Sequence, residues 1–145
     1  MEPLTLRYTV DGDSFTTAGE ASTDMKRSLK RIGADADLIR RASICMYDGE
    51  INMVIHGGGG QASVTFDGQK MEIVLTDRGK GIPDIEAAMR EGFSTATQEV
   101  RDLGFGAGMG LPNMKRYADE MVVESKVGAG TTVRMVLYDD PQRNA

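Results

Sequence analysis

Two pairs of alternating segments, each closed around a glycine turn, constrain this chain more than any other feature. Residues 61–67 and 70–76 alternate apolar and polar around Asp67-Gly68-Gln69. Residues 120–126 and 131–138 do the same around Val127-Gly128-Ala129-Gly130. Successive side chains of a strand point to opposite faces, and a short glycine-bearing connection returns the chain beside itself, so both pairs predict antiparallel hairpins. Residues 3–10 also alternate (Leu4, Leu6, Tyr8, Val10), which predicts a further strand ended by Asp11-Gly12-Asp13. Residues 18–32 read as a helix with Met25, Leu29 and Ile32 on one side and Gly33 as its stop. Asp35 is placed to cap a longer helix over 36–56, whose apolar positions include Ile39, Ala42, Cys45, Met46 and Met53. A short helix is predicted over Asp84–Arg90 and another over Leu111–Asp119, with Pro112 tolerable in its first turn. The order β-α-α-β-β-α-loop-α-β-β favours an α+β fold: a two-layer α/β sandwich with a mixed, mostly antiparallel sheet and helices on one face. A length of 145 residues fits one domain, read as 1–138 with a disordered tail over 139–145.

Composition narrows the function classes. The net charge is −5, and residues 1–60 (7 basic, 9 acidic) and 61–145 (10 basic, 13 acidic) are both acidic, which disfavours a nucleic-acid backbone as partner. No apolar run approaches the roughly 20 residues of a membrane helix, and the first residues carry no signal-peptide pattern, so a cytoplasmic location is expected. The single cysteine, Cys45, rules out an intramolecular disulfide and a cysteine-based zinc site, and the single histidine rules out chemistry that needs two. Of 18 glycines, 14 lie between Gly57 and Gly130. Glycine gathered in mid-chain brings backbone close to something else.

Four stretches could carry chemistry. On the long helix, Asp48, Asn52 and His56 stand at i, i+4 and i+8 and share one stripe. An Asn carbonyl is a hard ligand suited to Mg²⁺, and a carboxylate one turn away could orient or deprotonate a nucleophile; taken alone, the stripe is better explained as a solvated polar face. In Asp77-Arg78-Gly79-Lys80-Gly81-Ile82-Pro83, a carboxylate sits where an apolar strand gives way to a glycine turn. It could accept from an exocyclic amine such as adenine N6 while the glycines admit a flat ring, or it could simply form an Asx-turn. Residues 92–108 lack periodicity and form a long loop, and Gly104, Gly106, Gly108 and Gly110 alternate directly before a helix. Backbone N–H groups at that junction suit phosphate, although neither G-x-G-x-x-G nor a Walker A lysine is present. Finally, Gly128-Ala129-Gly130-Thr131 makes a hairpin turn from which Thr131 could point a hydroxyl under the sheet.

Taken in order, these stretches resemble the GHKL nucleotide-binding superfamily of gyrase-type ATPases, Hsp90, histidine kinases and MutL. Asp48–His56 looks like its N-box, Asp77-x-Gly79-x-Gly81 like its G1 box, Gly106–Gly110 like its G2 box, and Gly130-Thr131 like its last element. The resemblance spans about residues 35–137, and the N-box histidine and short length look most like the bacterial anti-sigma-factor serine/threonine kinases of partner-switching systems. It implies a Bergerat-type ATP-binding fold with ATP and Mg²⁺ as cofactors. It implies that Asn52 ligates Mg²⁺, that Asp77 reads adenine N6, and that Gly79 and Gly81 line the adenine pocket. Gly106, Gly108, Met109 and Gly110 would hold the phosphates, residues 92–108 would form an ATP lid, and Thr131 would support adenine through a water. Arg101 in that lid is a candidate phosphate clamp.

One position departs from the family pattern. Glutamate usually precedes the Mg-binding Asn by four residues, and here Asp48, one methylene shorter, takes its place as candidate general base. Glu50 lies on another face of the helix and does not substitute for it. The leading expectation is a protein serine kinase that acts as an anti-sigma-like regulator, binds ATP and ADP, and phosphorylates a serine on an anti-anti-sigma-like antagonist. A sigma factor is a second partner the resemblance brings, and a homodimer is compatible with it. Two alternatives stay open: an ATP-binding partner switch without phosphotransfer, and the ATP-binding half of a split histidine kinase. With His56 in the N-box, the second would need a separate phosphoacceptor protein.

Overall fold

The computed structural model describes residues 2–12, 17–56, 58–79, 81–82, 85–89 and 110–139. Among the described residues, five strands and four helices follow one another as β1 (Leu4–Asp11), α1 (Glu20–Arg31), α2 (Ala36–His56), β2 (Gly59–Phe66), β3 (Lys70–Asp77), α3 (Ile85–Ala88), α4 (Gly110–Tyr117), β4 (Glu120–Lys126) and β5 (Gly130–Tyr138). The expected loop over 92–108 and tail residues 140–145 lie outside the described residues. Among the described residues no helix is long and apolar enough to cross a membrane.

The strands form one sheet in the order β1-β2-β3-β5-β4, and every neighbouring pair is antiparallel. The sequence predicts a mixed, mostly antiparallel sheet, and a helical connection does lead from β3 to β4. Those two strands do run the same way, but β5 lies between them and pairs with both, so the parallel relation exists without a parallel ladder. Strand alternation then sorts the side chains. Ala62, Val64, Phe66, Met71, Ile73, Leu75, Val133, Met135 and Leu137 are buried, while their neighbours Gln61, Thr65, Lys70, Thr76 and Arg134 are exposed. Met25, Leu29, Leu38, Ala42, Met46, Met53 and Met114 of the helices join the same core, which makes the two layers.

Helix ends follow their local chemistry. Asp35 caps α2, its Oδ2 accepting from the N–H groups of Asp37 and Leu38 at 2.9 and 3.2 Å. The α1 helix stops before Gly33, as the sequence suggests, but Ile32 falls beyond the last helical residue and is 40% exposed instead of lying on the buried side. At its other end α1 begins after Gly19, which has no side chain to cap with. Glu50 of α2 takes that role: its carboxylate accepts from the N–H groups of Gly19 (2.9 Å), Ala21 (3.1 Å) and Ser22 (3.1 Å). The residue is only 2% exposed, so these bonds satisfy a buried acid and three donors that the helix cannot satisfy itself. Glu50→Ala is expected to cost about 2–3 kcal/mol, since it removes a cap and strands buried donors. The midpoint of urea unfolding measures this, and a midpoint equal to wild type would mean that water replaces the carboxylate.

The first half of α2 is tied to the far end of the sheet. Arg41, also 2% exposed, donates from Nε to Asp37 (2.8 Å), from Nη2 to the Tyr138 carbonyl (3.0 Å) and from Nη1 to Asp119 (3.3 Å). A buried guanidinium is tolerated because each of its edges meets an acceptor. On β1, the Tyr8 hydroxyl donates to Asp24 of α1 at 2.6 Å, and burial together with that carboxylate raises its pKa.

Candidate functional site

The second half of α2 crosses the sheet at one end of β3. Gly49 permits the approach, because a Cβ there would lie 2.1 Å from Leu75 Cδ1. One turn on, Met53 Cε lies 2.8 Å from where a Cβ of Gly60 would stand, and Gly60 pairs across the ladder with Asp77. Asp48 and Asn52 on α2 therefore lie at the same end of the molecule as Asp77.

Asp77 is the last residue of β3 and is half-buried. Its Oδ1 accepts from the N–H of Gly79 at 2.9 Å, an Asx-turn, and also from the N–H of Thr131 on β5 at 3.2 Å. The Asx-turn read as one possibility for Asp77 is therefore present. Oδ2 makes no hydrogen bond with a described residue. Thr131 stands beside Asp77 because β5 pairs with β3 through Thr132 and Thr76. Its Oγ1 lies 2.7 Å from Ser125 Oγ on β4, and that serine also accepts from the N–H of Ile82 at 2.6 Å. Gly81 turns the chain here with φ 78°, and a Cβ on it would meet the Lys126 carbonyl at 2.3 Å. Only glycine fits this conformation and spacing.

The α2–α4 junction makes the second half of the site. Helix α4 starts at Gly110, and a Cβ on that residue would lie 2.8 Å from Nδ2 and 2.9 Å from Oδ1 of Asn52. The missing side chain leaves the Asn52 amide against the N-terminal turn of α4, whose first N–H groups have no partner within the helix. One turn back on α2, Asp48 Oδ2 accepts from Asn113 Nδ2 of α4 at 3.1 Å. Burial raises the Asp48 pKa, and the Asn113 hydrogen bond partly offsets that rise. Glu50 faces α1, so it cannot replace Asp48. Cys45, a turn before Gly49 and buried, has its thiol pushed up to about 12 by desolvation, which keeps it protonated and unreactive.

The structure thus gathers Asp77, Gly79, Gly81 and Thr131 in one cluster and Asp48, Asn52 and Gly110 in a second beside it. Arg101, Gly106, Gly108 and Met109 lie outside the described residues, as does the side chain of His56. Asn113 and Ser125 join the site without having been singled out as site residues. Asn113 closes the glycine-rich motif, but its partner is 65 residues away; Ser125 sits in an ordinary alternating strand.

A profile of the histidine kinase-, DNA gyrase B- and HSP90-like ATPase family matches residues 46–141, which takes in both clusters. Anti-sigma F factor of Thermoanaerobacter sp. (strain X514) is 41% identical over 92 residues, 60% of this chain and 61% of that protein. Serine/threonine-protein kinase RsbT of Bacillus subtilis (strain 168) is 37% identical over 91 residues, 60% of this chain and 62% of that protein. The chain therefore spans less than two thirds of the length of either relative. The solved RsbU and RsbW domains of Rv1364c from Mycobacterium tuberculosis superpose with a TM-score of 0.65 at 18% identity, covering 93% of this chain and 32% of that one, a likeness of fold. With the family's profile running from mid-α2 past the end of β5, the chain belongs to the histidine kinase-, DNA gyrase B- and HSP90-like (GHKL) ATPase family.

Proposed function

We propose that this domain binds Mg-ATP and acts as a protein serine kinase and anti-sigma-like regulator, transferring phosphate to a serine on a small antagonist protein in partner switching. The names of its relatives support the regulatory class. The observation that carries nucleotide binding is Asp77: one carboxylate oxygen is fixed by two backbone N–H groups, and the other has no partner among the described residues. A half-buried acceptor held in one orientation beside glycines suits the exocyclic amine of adenine. Gly79 and Gly81 then line the ring, and Thr131 supports it. Gly106, Gly108, Met109 and Gly110 hold the phosphates, with Arg101 as their clamp.

The donor set at α2 fits Mg²⁺. Asn52 offers a neutral amide oxygen, and among the described residues no three His, Cys, Asp or Glu side chains cluster. Such a site leaves most of the coordination to phosphate and water, as Mg²⁺ prefers. The ion, when bound, neutralises charge on the phosphates. Asp48 takes the proton of the incoming serine hydroxyl, and Asn113 holds one carboxylate oxygen toward α4, which orients the other. In this reading residues 1–138 act as one cytoplasmic domain, a homodimer is compatible with the fold, and the partners are the antagonist and a sigma factor.

The same Asp48–Asn113 bond supports a second reading, an ATP-dependent switch without transfer. A short side chain already engaged by α4 has less reach toward a substrate than a glutamate would. Calorimetric titration with ATP and ADP, with and without Mg²⁺, tests binding; label transfer from ATP to a serine-bearing antagonist then separates the readings. Mg-dependent binding with label transfer is expected. Binding without transfer to any antagonist leaves the switch, and a folded chain that binds neither nucleotide defeats both. Asn52→Ala is expected to bind ATP with most of its Mg²⁺ dependence gone, seen by repeating the titration in EDTA.

A further inference from the structure

We infer that Ser125 is a positioning residue that makes the Thr131 hydroxyl an acceptor toward the base and thereby selects 6-amino over 6-oxo purine nucleotides. The inference rests on the nucleotide reading of the Asp77 cluster and extends it to a residue outside the four motifs. Among the described residues, Ser125 Oγ has three hydrogen-bonding neighbours: the Ile82 N–H at 2.6 Å, the Gly130 carbonyl at 3.1 Å and Thr131 Oγ1 at 2.7 Å. A hydroxyl has one proton and two lone pairs. The Ile82 N–H can only donate, and the Gly130 carbonyl can only accept. All three bonds therefore form together in one arrangement: Ile82 donates to Ser125, Ser125 donates to Gly130, and Thr131 donates to Ser125. If Ser125 instead gave its proton to Thr131, its bond to the Gly130 carbonyl would be lost.

In the arrangement with three bonds, the Thr131 proton is committed to Ser125, and Thr131 presents only lone pairs elsewhere. Asp77 likewise presents an acceptor. Two acceptors side by side match the amine at C6 of adenine, directly or through a water that donates to them. They repel the carbonyl that guanine and hypoxanthine carry at that position. Ser125 lies on β4, Thr131 on β5 and Ile82 after β3, so the same hydroxyl also joins three segments around the pocket.

The test is titration of ATP and ITP, which carries a carbonyl in place of the amine, into wild type, Ser125→Ala, Thr131→Val and the double variant. Wild type is expected to prefer ATP. Ser125→Ala frees the Thr131 proton to donate to a carbonyl, so the ATP/ITP affinity ratio should fall about tenfold, the worth of one hydrogen bond. In the Thr131→Val background, adding Ser125→Ala should leave the ratio unchanged, because Ser125 acts through Thr131. A folded Ser125→Ala protein with the wild-type ratio overturns the inference, and so does a further drop in the double variant. If Ser125→Ala does not fold, Ser125→Cys, whose thiol is a weak partner, carries the same expectation. Wild type that binds neither ATP nor ITP defeats the nucleotide reading itself and this inference with it. Wild type that binds, with Ser125 indifferent, defeats only the inference.

Discussion

Asp77→Asn is expected to abolish measurable ATP binding while the chain stays folded. Asp77 Oδ1 accepts from the Gly79 and Thr131 N–H groups, and Oδ2 has no partner among the described residues, which on the proposed reading leaves it for the ligand. Asparagine has one oxygen and one NH₂ group. If its oxygen keeps the two backbone donors, the NH₂ faces the ligand's amine, donor against donor. If the amide flips, the NH₂ faces the two backbone N–H groups and the β3–β5 junction loosens. Either orientation leaves polar groups unpaired in a half-buried site, a mismatch of the kind that costs roughly a thousandfold in affinity. Calorimetric titration with ATP and ADP reads the loss, and circular dichroism checks the fold. An Asp77→Asn protein that binds like wild type would move the nucleotide elsewhere and leave Asp77 as a turn residue.

The second large effect is expected at Asp48. Asp48→Asn should bind ATP normally and lose phosphotransfer by about a thousandfold, the usual contribution of a positioned general base. Burial raises the Asp48 pKa, so in wild type the rate of transfer should rise with pH as this carboxyl gives up its proton. The same shift predicts a change in stability of opposite benefit. Because the folded state holds the proton to higher pH than the unfolded state, the stability linked to this group is fully present below the unfolded pKa and is lost as pH rises through the folded one. At neutral pH the charged, partly desolvated carboxylate is a net burden on folding. Asp48→Asn should therefore melt at or above the wild-type temperature at pH 7, and the difference should shrink as the solution is acidified. Transfer that survives the substitution would mean that another group serves as the base.

Much of this fold is legible locally. The bounds of α2 come out at Ala36–His56, as expected from Asp35 before it and the glycine run after it. The first hairpin turns where Asp67 can accept from Gln69 and Lys70, and the second where Gly128 takes a positive φ. Such signals act over a few residues, so they survive reading one residue at a time. The misplacement of Ile32 is a boundary effect: one residue past the last turn, a helical face no longer exists for it to join.

The candidate site divides in the same way. Asp48, Asn52, Asp77, the glycines and Thr131 are visible because each belongs to a short pattern with a chemical meaning. Their partners are not visible. Nothing near Glu50 in the sequence says that it caps a helix some thirty residues earlier, and nothing near Ser125 says that it will hold both Thr131 and the Ile82 N–H. Those relations exist only because α2 lies across β3 and because β5 enters the sheet between β3 and β4. Strand order is decided by which apolar faces close the core and which ladders can form over long separations, and local propensity carries no information about either. By itself, then, the sequence determined the segments and the candidate residues on them. The tertiary structure alone decided that Thr131 stands beside Asp77, with Ser125 behind it, because cross-strand register joins residues that the chain keeps far apart.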